Sequence, residues 1–366
     1  MEIDAKKIWE AKIDREIPEI KSLLLGLGYE IDEQQPNLLG EKFLMKIDKF
    51  ILNGTRLSDG KRVIVKISKD KDGIEEIEAD RKASKNLGTL TFALETVKIA
   101  EEFYFDKMDG YIIFIIEFLE QKEPLMKLPL EDQFYITLRA FDILENIYLS
   151  TFEHKKQVKN KFPILTAEDY MKKFLQYRDN INKILNDPEV NQKISLAKDI
   201  FKKNLKVVER YGNFLVHEDF VQQNFRLQNN ILYFIDHEAL QFGNLHETQA
   251  RYLNFMLVHS PKLEKKITQH IKQKSEKENS DAYLSLQMMR LLKCTQLLEY
   301  YAKSLEKSAG DEYKISKVRF DFWLDVLEHL SEDKPVHDSL VEEYKNARDN
   351  LRSKEEVERQ KLIKHI

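Results

Sequence analysis

The sequence predicts an α+β chain of two lobes, a small antiparallel sheet carrying one helix followed by a larger, mainly helical part. Three observations predict it. Between residues 41 and 120, short β-rich runs alternate with turn signals around a single helical segment. After Pro124, apolar residues recur at helical spacing over most of the chain. The helical part is interrupted once, at residues 212–244, by two short strand-like runs.

Taken in order, residues 4–27 read as a helix. Ile8, Ile13, Ile17, Ile20 and Leu23 to Leu25 share one face, and Gly26 and Gly28 stop it. EKFLMKID (41–48), KFILNGTRL (49–57) and KRVIVKIS (61–68) read as strands, punctuated by the Asn53-Gly54 and Asp59-Gly60 steps. DGIEEIEADRKASKNL (72–87) reads as a helix with Asp72 as its N-cap. EEFYFDKM (101–108) and YIIFIIEFLE (111–120) flank an Asp109-Gly110 turn. Helical periodicity then covers 131–153, 166–186, 189–211, 247–306 and 315–331. Within the interruption, FRLQ and ILYFID are joined by Asn229-Asn230, residues that tolerate the positive φ of a tight hairpin. From Lys334 onward the chain is highly charged, and we expect it to lie outside the body of the fold. These readings divide the chain at 1–39, 40–120, 121–333 and 334–366.

Composition excludes several classes. Among 366 residues, 59 Lys and Arg stand against 63 Asp and Glu, so no global field points to nucleic acid or to an anionic membrane. Cys294 is the only cysteine, which rules out an intramolecular disulfide and a cysteine zinc site; in LLKCTQLL it reads as a buried structural thiol. The charged N-terminus lacks the apolar run of a signal peptide and no window reaches about 18 apolar residues, so the expectation is a cytoplasmic chain without membrane partners. Oligomeric state is open.

A hairpin set in a helical half needs a reason beyond packing, and it carries the acidic residues. His217-Glu218-Asp219 ends one run, Asn224 lies five residues on, and Asp236 closes the second strand. Phosphoryl transfer uses this combination: one carboxylate orients a hydroxyl and accepts its proton, while a carboxylate and an amide oxygen hold magnesium. Singly, Asn and Asp at such positions are ordinary turn residues; the joint spacing carries the reading.

HEDFVQQNFRLQNNILYFIDHE resembles the catalytic segment of the aminoglycoside phosphotransferase and choline kinase-like superfamily, which has the protein kinase-like fold. The resemblance covers about residues 40–260. It implies Asp219 as catalytic base, Asn224 and Asp236 as Mg²⁺ ligands and His217 as a brace of the loop. Glu238 and Gly243 match an acidic residue and a glycine that follow. It also implies ATP or GTP held by the N-lobe. Lys66 in VIVKIS would meet the phosphates and pair with Glu78, or with Glu76, since helical phase does not separate them. The backbone of Glu117, Phe118 and Leu119 would meet the purine. The acceptor would be a small molecule held within 131–211 and 245–305. Ten Lys and Arg against seven Asp and Glu in residues 166–212, a net of +3, favour a neutral or anionic one. Four positions depart from the pattern: Glu218 replaces a glycine, His237 a tryptophan and Thr248 an aspartate, and KIDKFI, the turn over the phosphates, has no glycine. The alternative reading is a pseudokinase or nucleotide-binding interaction module. The remaining histidines, His154, His246, His259 and His270 among them, show no metal-ligand spacing.

Overall fold

A computed structural model describes residues 5–40, 48–93 and 97–363. Most of the strand expected at 41–48 lies outside the described residues. The first lobe is a five-stranded antiparallel sheet of β1 (Tyr29–Ile31), β2 (Phe50–Arg56), β3 (Arg62–Ser68), β4 (Glu102–Met108) and β5 (Tyr111–Glu117), in the order β1-β2-β3-β5-β4. Two helices, α1 (Ala5–Gly26) and α2 (Lys71–Leu87), cover its two faces.

Strand alternation explains this division. On β3, Val63, Val65 and Ile67 are fully buried and pack with Trp9, Ile20 and Leu24 of α1. Lys66 therefore points to the opposite face, where Ile77 of α2 packs with Ile112 and Phe114. The same parity that builds one core thus aims the lysine towards α2.

The sheet differs from the sequence reading in its edge. Asn53-Gly54 is no turn, since β2 runs straight through it and pairs with β1 on one side and β3 on the other. Gly54 is required by the approach of β1: a Cβ there would stand 2.5 Å from the Glu30 carbonyl oxygen. Three-residue β1 was too short to show periodicity. The turns at Asp59-Gly60 and Asp109-Gly110 are present, with φ of +71° at Gly60 and +82° at Gly110. Asp70, rather than Asp72, occupies the N-cap of α2.

The second lobe contains α3 (Leu130–Glu145), α4 (Phe152–Val158), α5 (Ala167–Leu185), α6 (Pro188–Lys203), α7 (Leu205–Arg210), α8 (His246–His259), α9 (Pro261–Lys277), α10 (Ala282–Lys307) and α11 (Gly310–Ser331). The long periodic stretch 247–306 is three helices, divided at Ser260-Pro261 and around Asp281. The 26-residue α10 is the axis of the lobe, packed on α5, α8 and α11. Cys294 on it is fully buried, its thiol donating to the Trp323 carbonyl (3.2 Å). No described helix is long and apolar enough to cross a membrane.

Two antiparallel ribbons lie at the junction of the lobes. β6 (Phe214–His217) pairs with β9 (Leu240–Gly243), and β7 (Phe225–Gln228) pairs with β8 (Ile231–Phe234). The β7–β8 turn places Asn229 at φ +50° and Asn230 at +63°, the conformation the Asn pair suggested.

The charged tail does not stay outside the body. α12 (Asp338–Asp349) buries Val341 and Tyr344, whose ring stacks on Phe322 of α11 at 4.0 Å, and α13 (Lys354–Ile363) follows it. Two apolar residues at helical spacing suffice to dock a helix whose remaining surface is charged.

Gly243 on β9 lies against the ring of Tyr170, and a Cβ there would run into the hydroxyl. Gly243→Ala should therefore destabilise the protein by about 1–3 kcal/mol in urea denaturation, and by less in a Tyr170→Phe background. An equal loss in both backgrounds would show that the hydroxyl is not the obstacle.

Candidate active site

The centre of the junction is Lys66. Its Nζ donates to Asp80 Oδ2 (2.7 Å) and to Asp236 Oδ1 (2.6 Å), and the residue is only 4% exposed. Burial alone would pull the ammonium pKa down; Asp236, then Asp80, outweigh it and hold the group well above the ordinary lysine value. Burial likewise pushes both carboxylates up, and Lys66 reverses this, leaving each below its usual range.

The lysine's partner on α2 is Asp80, neither Glu78 nor Glu76. Glu78 points to solvent and pairs with Lys107 (2.7 Å), and Glu76 pairs with Lys49 (3.0 Å). Helix phase is the reason. Ile77, Asp80, Ala83 and Leu87 form the buried stripe of α2, spaced three and four apart. Asp80, one turn from Ile77, faces the sheet, and a short side chain suffices because the helix packs close to β3. A wheel phased on Ile77 and Leu87 contains this signal.

Asp80 also fixes the segment after β8. Its Oδ1 accepts the His237 backbone N–H (2.8 Å), while Ser84 Oγ meets His237 Nδ1 (2.8 Å). Histidine in the place of the family's tryptophan thus makes a polar contact to α2. Asp236 itself sits in the left-handed region at φ +59°, ψ +56°. That strained backbone is held from both sides by Lys66 and by the His237 amide.

His217, at the end of β6, is fully buried. Its ring Nε2 meets the Ile235 carbonyl (3.0 Å), and its backbone N–H donates to Thr248 Oγ1 (2.9 Å). The threonine standing where the resemblance expects aspartate is therefore still bonded to this loop. Asn224 donates through Nδ2 to the Asp219 carbonyl (2.8 Å), and its own carbonyl accepts the Ile235 amide (3.0 Å). Asn224 is thus bonded to Asp219 on one side and, on the other, to Ile235, the residue before Asp236.

Asp219 is more than half exposed and is paired with Arg251 on α8, whose Nε (2.9 Å) and Nη2 (2.7 Å) both meet Oδ1. Beside it, Glu218 turns away from the hairpin towards Lys173 of α5 (3.2 Å) and Lys293 of α10 (3.4 Å). Burial would raise its carboxyl; Lys293 and Lys173 bring it down to about 2. Lys293 is bound in turn by Glu247 (2.8 Å), which accepts from Tyr170 (2.5 Å) and Gln241 (3.0 Å). The bulky charge in the glycine position is one end of a buried ionic network, and it leaves the surroundings of Asp219 open.

Two cations here went unmarked by sequence reasoning, Arg251 and Lys49. Lys49 belongs to the glycine-free turn and reaches Glu238 (3.3 Å) as well as Glu76. Glu238 Oε2 is buried with no hydrogen-bond partner among the described residues, and burial, then the Asp236 charge, push its carboxyl up. Oxygens of Asp80, Asp236 and Glu238 lie within 4.8 Å of one another. These hard oxygen donors, one of them unsatisfied, suit a divalent cation.

At the hinge, the amides of Glu117 and Phe118 are already used by the carbonyls of Glu101 (2.8 Å) and Arg62 (3.1 Å). Leu119, buried, follows them with an amide that donates to no acceptor among the described residues.

No family model and no curated protein matches the sequence. Solved structures do match. An ADP-bound aminoglycoside phosphotransferase, APH(2'')-Ib, superposes with a TM-score of 0.53 at 14% identity, covering 78% of this chain and 91% of that one. The GDP complex of aminoglycoside 2'-phosphotransferase-IIIa gives 0.54 at 13% identity, with 79% and 91% covered. Amicoumacin kinase hAmiN, in complex with AMP-PNP, Ca²⁺ and Ami, gives 0.52 at 11% identity, with 91% and 97% covered. At these identities the likeness is one of architecture: the chain has the bilobal, protein kinase-like fold of the aminoglycoside phosphotransferases.

Proposed function

We propose that the protein is a phosphotransferase that moves the γ-phosphate of ATP, or of GTP, to a hydroxyl of a small molecule. The observation that carries this is the Lys66 ammonium, buried between a helix carboxylate and a carboxylate of the other lobe. A purely structural chain has little use for a buried ammonium and carboxylate, joined to a third charge, where apolar side chains would serve as well. The same lysine placed beside triphosphate oxygens exchanges one set of anions for another.

In this reading Lys66 and Lys49 face the phosphates. Lys49 supplies charge where a glycine-free turn offers less room for close backbone amides. The Leu119 amide meets the purine. Asn224 and Asp236 would hold Mg²⁺, with the Glu238 carboxylate beside Asp236, and the ion would supply neutralisation of the triphosphate. Asp219 presents Oδ2 to the acceptor hydroxyl and takes its proton, while Arg251 holds Oδ1 and fixes the carboxylate's orientation. His217 positions the loop through the Ile235 carbonyl.

The acceptor is a neutral or anionic small alcohol. Glu218 and Asp219, the carboxylates at the mouth, are already matched by Lys173, Lys293 and Arg251. A polycation would have to displace these partners. A screen of polyols, sugars, hydroxy acids and aminoglycosides tests this, with turnover expected outside the aminoglycosides.

One observation favours the second reading, a nucleotide-binding module without catalysis: the Arg251 ion pair restrains the very carboxylate that must act. Thermal shift and turnover separate the two. ATP with Mg²⁺ stabilises both, by about 2.7 kcal/mol at a hundredfold excess over Kd, and only the enzyme consumes ATP.

Asp219→Asn is expected to lower turnover by roughly 10²–10⁴-fold with the nucleotide-induced shift intact; undiminished turnover removes Asp219 from the chemistry. Lys66→Met should weaken both the shift and turnover. Glu218, with its depressed carboxyl, stabilises the fold fully above the unfolded carboxylate range near 4.5 and loses that contribution as pH falls towards about 2. Glu218→Gln should accordingly flatten the acid limb of stability against pH. An unchanged limb would mean that the Lys173 and Lys293 pairs do not form in solution.

A further inference from the structure

The C-terminal helix joins the two lobes by a second route, away from Lys66. α12 is anchored in the helical lobe by Val341 and by Tyr344 stacked on Phe322, with Asp338 paired to Lys265 of α9 (2.7 Å). Only residues 350–353 separate α12 from α13. Four residues span at most about 14 Å. α13 then packs on the other lobe, against the 3-10 turn Pro36–Leu38 and Gly40.

That contact is close and built. Glu356 is 2% exposed, and Arg359 forks onto its carboxylate through Nε (2.7 Å) and Nη2 (2.8 Å). Gly40 adopts φ +69°, and a Cβ on it would fall 2.8 Å from the Glu356 Cα and into its carboxylate. The helix backbone therefore lies directly on a glycine that combines positive φ with an absent side chain. The platform is fixed to the sheet. Gln35 accepts the Asn53 N–H and donates to the Asn53 carbonyl, both at 2.8 Å, and Trp9, stacked on Phe50, donates to the Leu38 carbonyl (3.3 Å). Force on α13 is thus delivered to β2, the neighbour of the Lys66 strand.

We propose that α13 is an intramolecular strap that holds the lobes closed, and that the cleft opens fully only when α13 leaves the Gly40 platform. The short link from α12 makes the two events exclusive: the lobes cannot hinge apart about residues 117–121 by more than the slack of four residues while Glu356 stays seated. The strap rests on the phosphotransferase reading only in that the ligand admitted by opening is a nucleotide.

The test is amide exchange on the full chain, wild type against Glu356→Arg, which places a longer side chain of opposite charge on Gly40. Exchange is expected to rise at least tenfold in residues 354–363, in 36–40 and in β2, with α10 unchanged, and the nucleotide association rate to rise at least threefold. If 354–363 loosen while 36–40 and β2 keep wild-type protection, the helix is a passenger and the proposal falls. It falls equally if 354–363 are unprotected in the wild type. Arg359→Ala, which removes the fork and leaves Gly40 untouched, serves where Glu356→Arg does not fold. A wild type that binds no nucleotide would defeat the phosphotransferase reading, and the exchange data would still decide the strap.

Discussion

The architecture depends on one buried cation that must be satisfied from both sides. Removing one partner of a buried pair costs about 3–5 kcal/mol, because it strands a charge in low dielectric. Lys66 therefore dictates three things at once: the face of β3 it occupies, the phase of α2 that brings Asp80 inward, and the left-handed backbone that presents Asp236. The hairpin follows from the last. β7 and β8 turn the chain back so that Asp236 arrives beside Asn224, and the Phe234 amide pins the ribbon to the Lys98 carbonyl of the first lobe (2.9 Å).

Electrostatics elsewhere in the junction are arranged so that Asp219 is left most accessible. Glu218 is drawn aside by Lys173 and Lys293, and Asp80 and Asp236 share Lys66. Asp219, itself exposed, has the half-buried Arg251 on one side as its ion-pair partner. A partly solvated ion pair holds a geometry at little cost to stability, whereas the buried Glu247 carboxylate is offset by the Lys293 charge on one oxygen and the Tyr170 and Gln241 hydrogen bonds on the other.

What the sequence made legible was whatever has a period or a fixed turn chemistry. Alternation in VIVKIS placed Lys66 on its own face, the Asn229-Asn230 pair marked the hairpin, and the spacing of Asp219, Asn224 and Asp236 put all three around that hairpin, with Asn224 bonded to Asp219 and to the residue before Asp236. Signals that depend on another element were lost. Gly54 resembled a turn because only the unseen approach of β1 explains it. Glu78 and Glu76 stood level and Asp80 was passed over, because the phase of α2 is set by what it packs on. Arg251, thirty-two residues from Asp219, and the docking of Tyr344 on Phe322 exist only in three dimensions.

The separations around Lys66 also bear on synthesis. Asp80 lies 14 residues after the lysine and Asp236 lies 170 after it. As the chain emerges from its N-terminus, the first lobe can close with its lysine already neutralised by a nearby carboxylate, long before the second is made. Asp80 thus acts as an internal placeholder that spares the nascent lobe an uncompensated charge. Glu356 and Arg359, which meet at Gly40, come after every other part of the cleft in the chain, so that contact forms only once the rest of the cleft has been made.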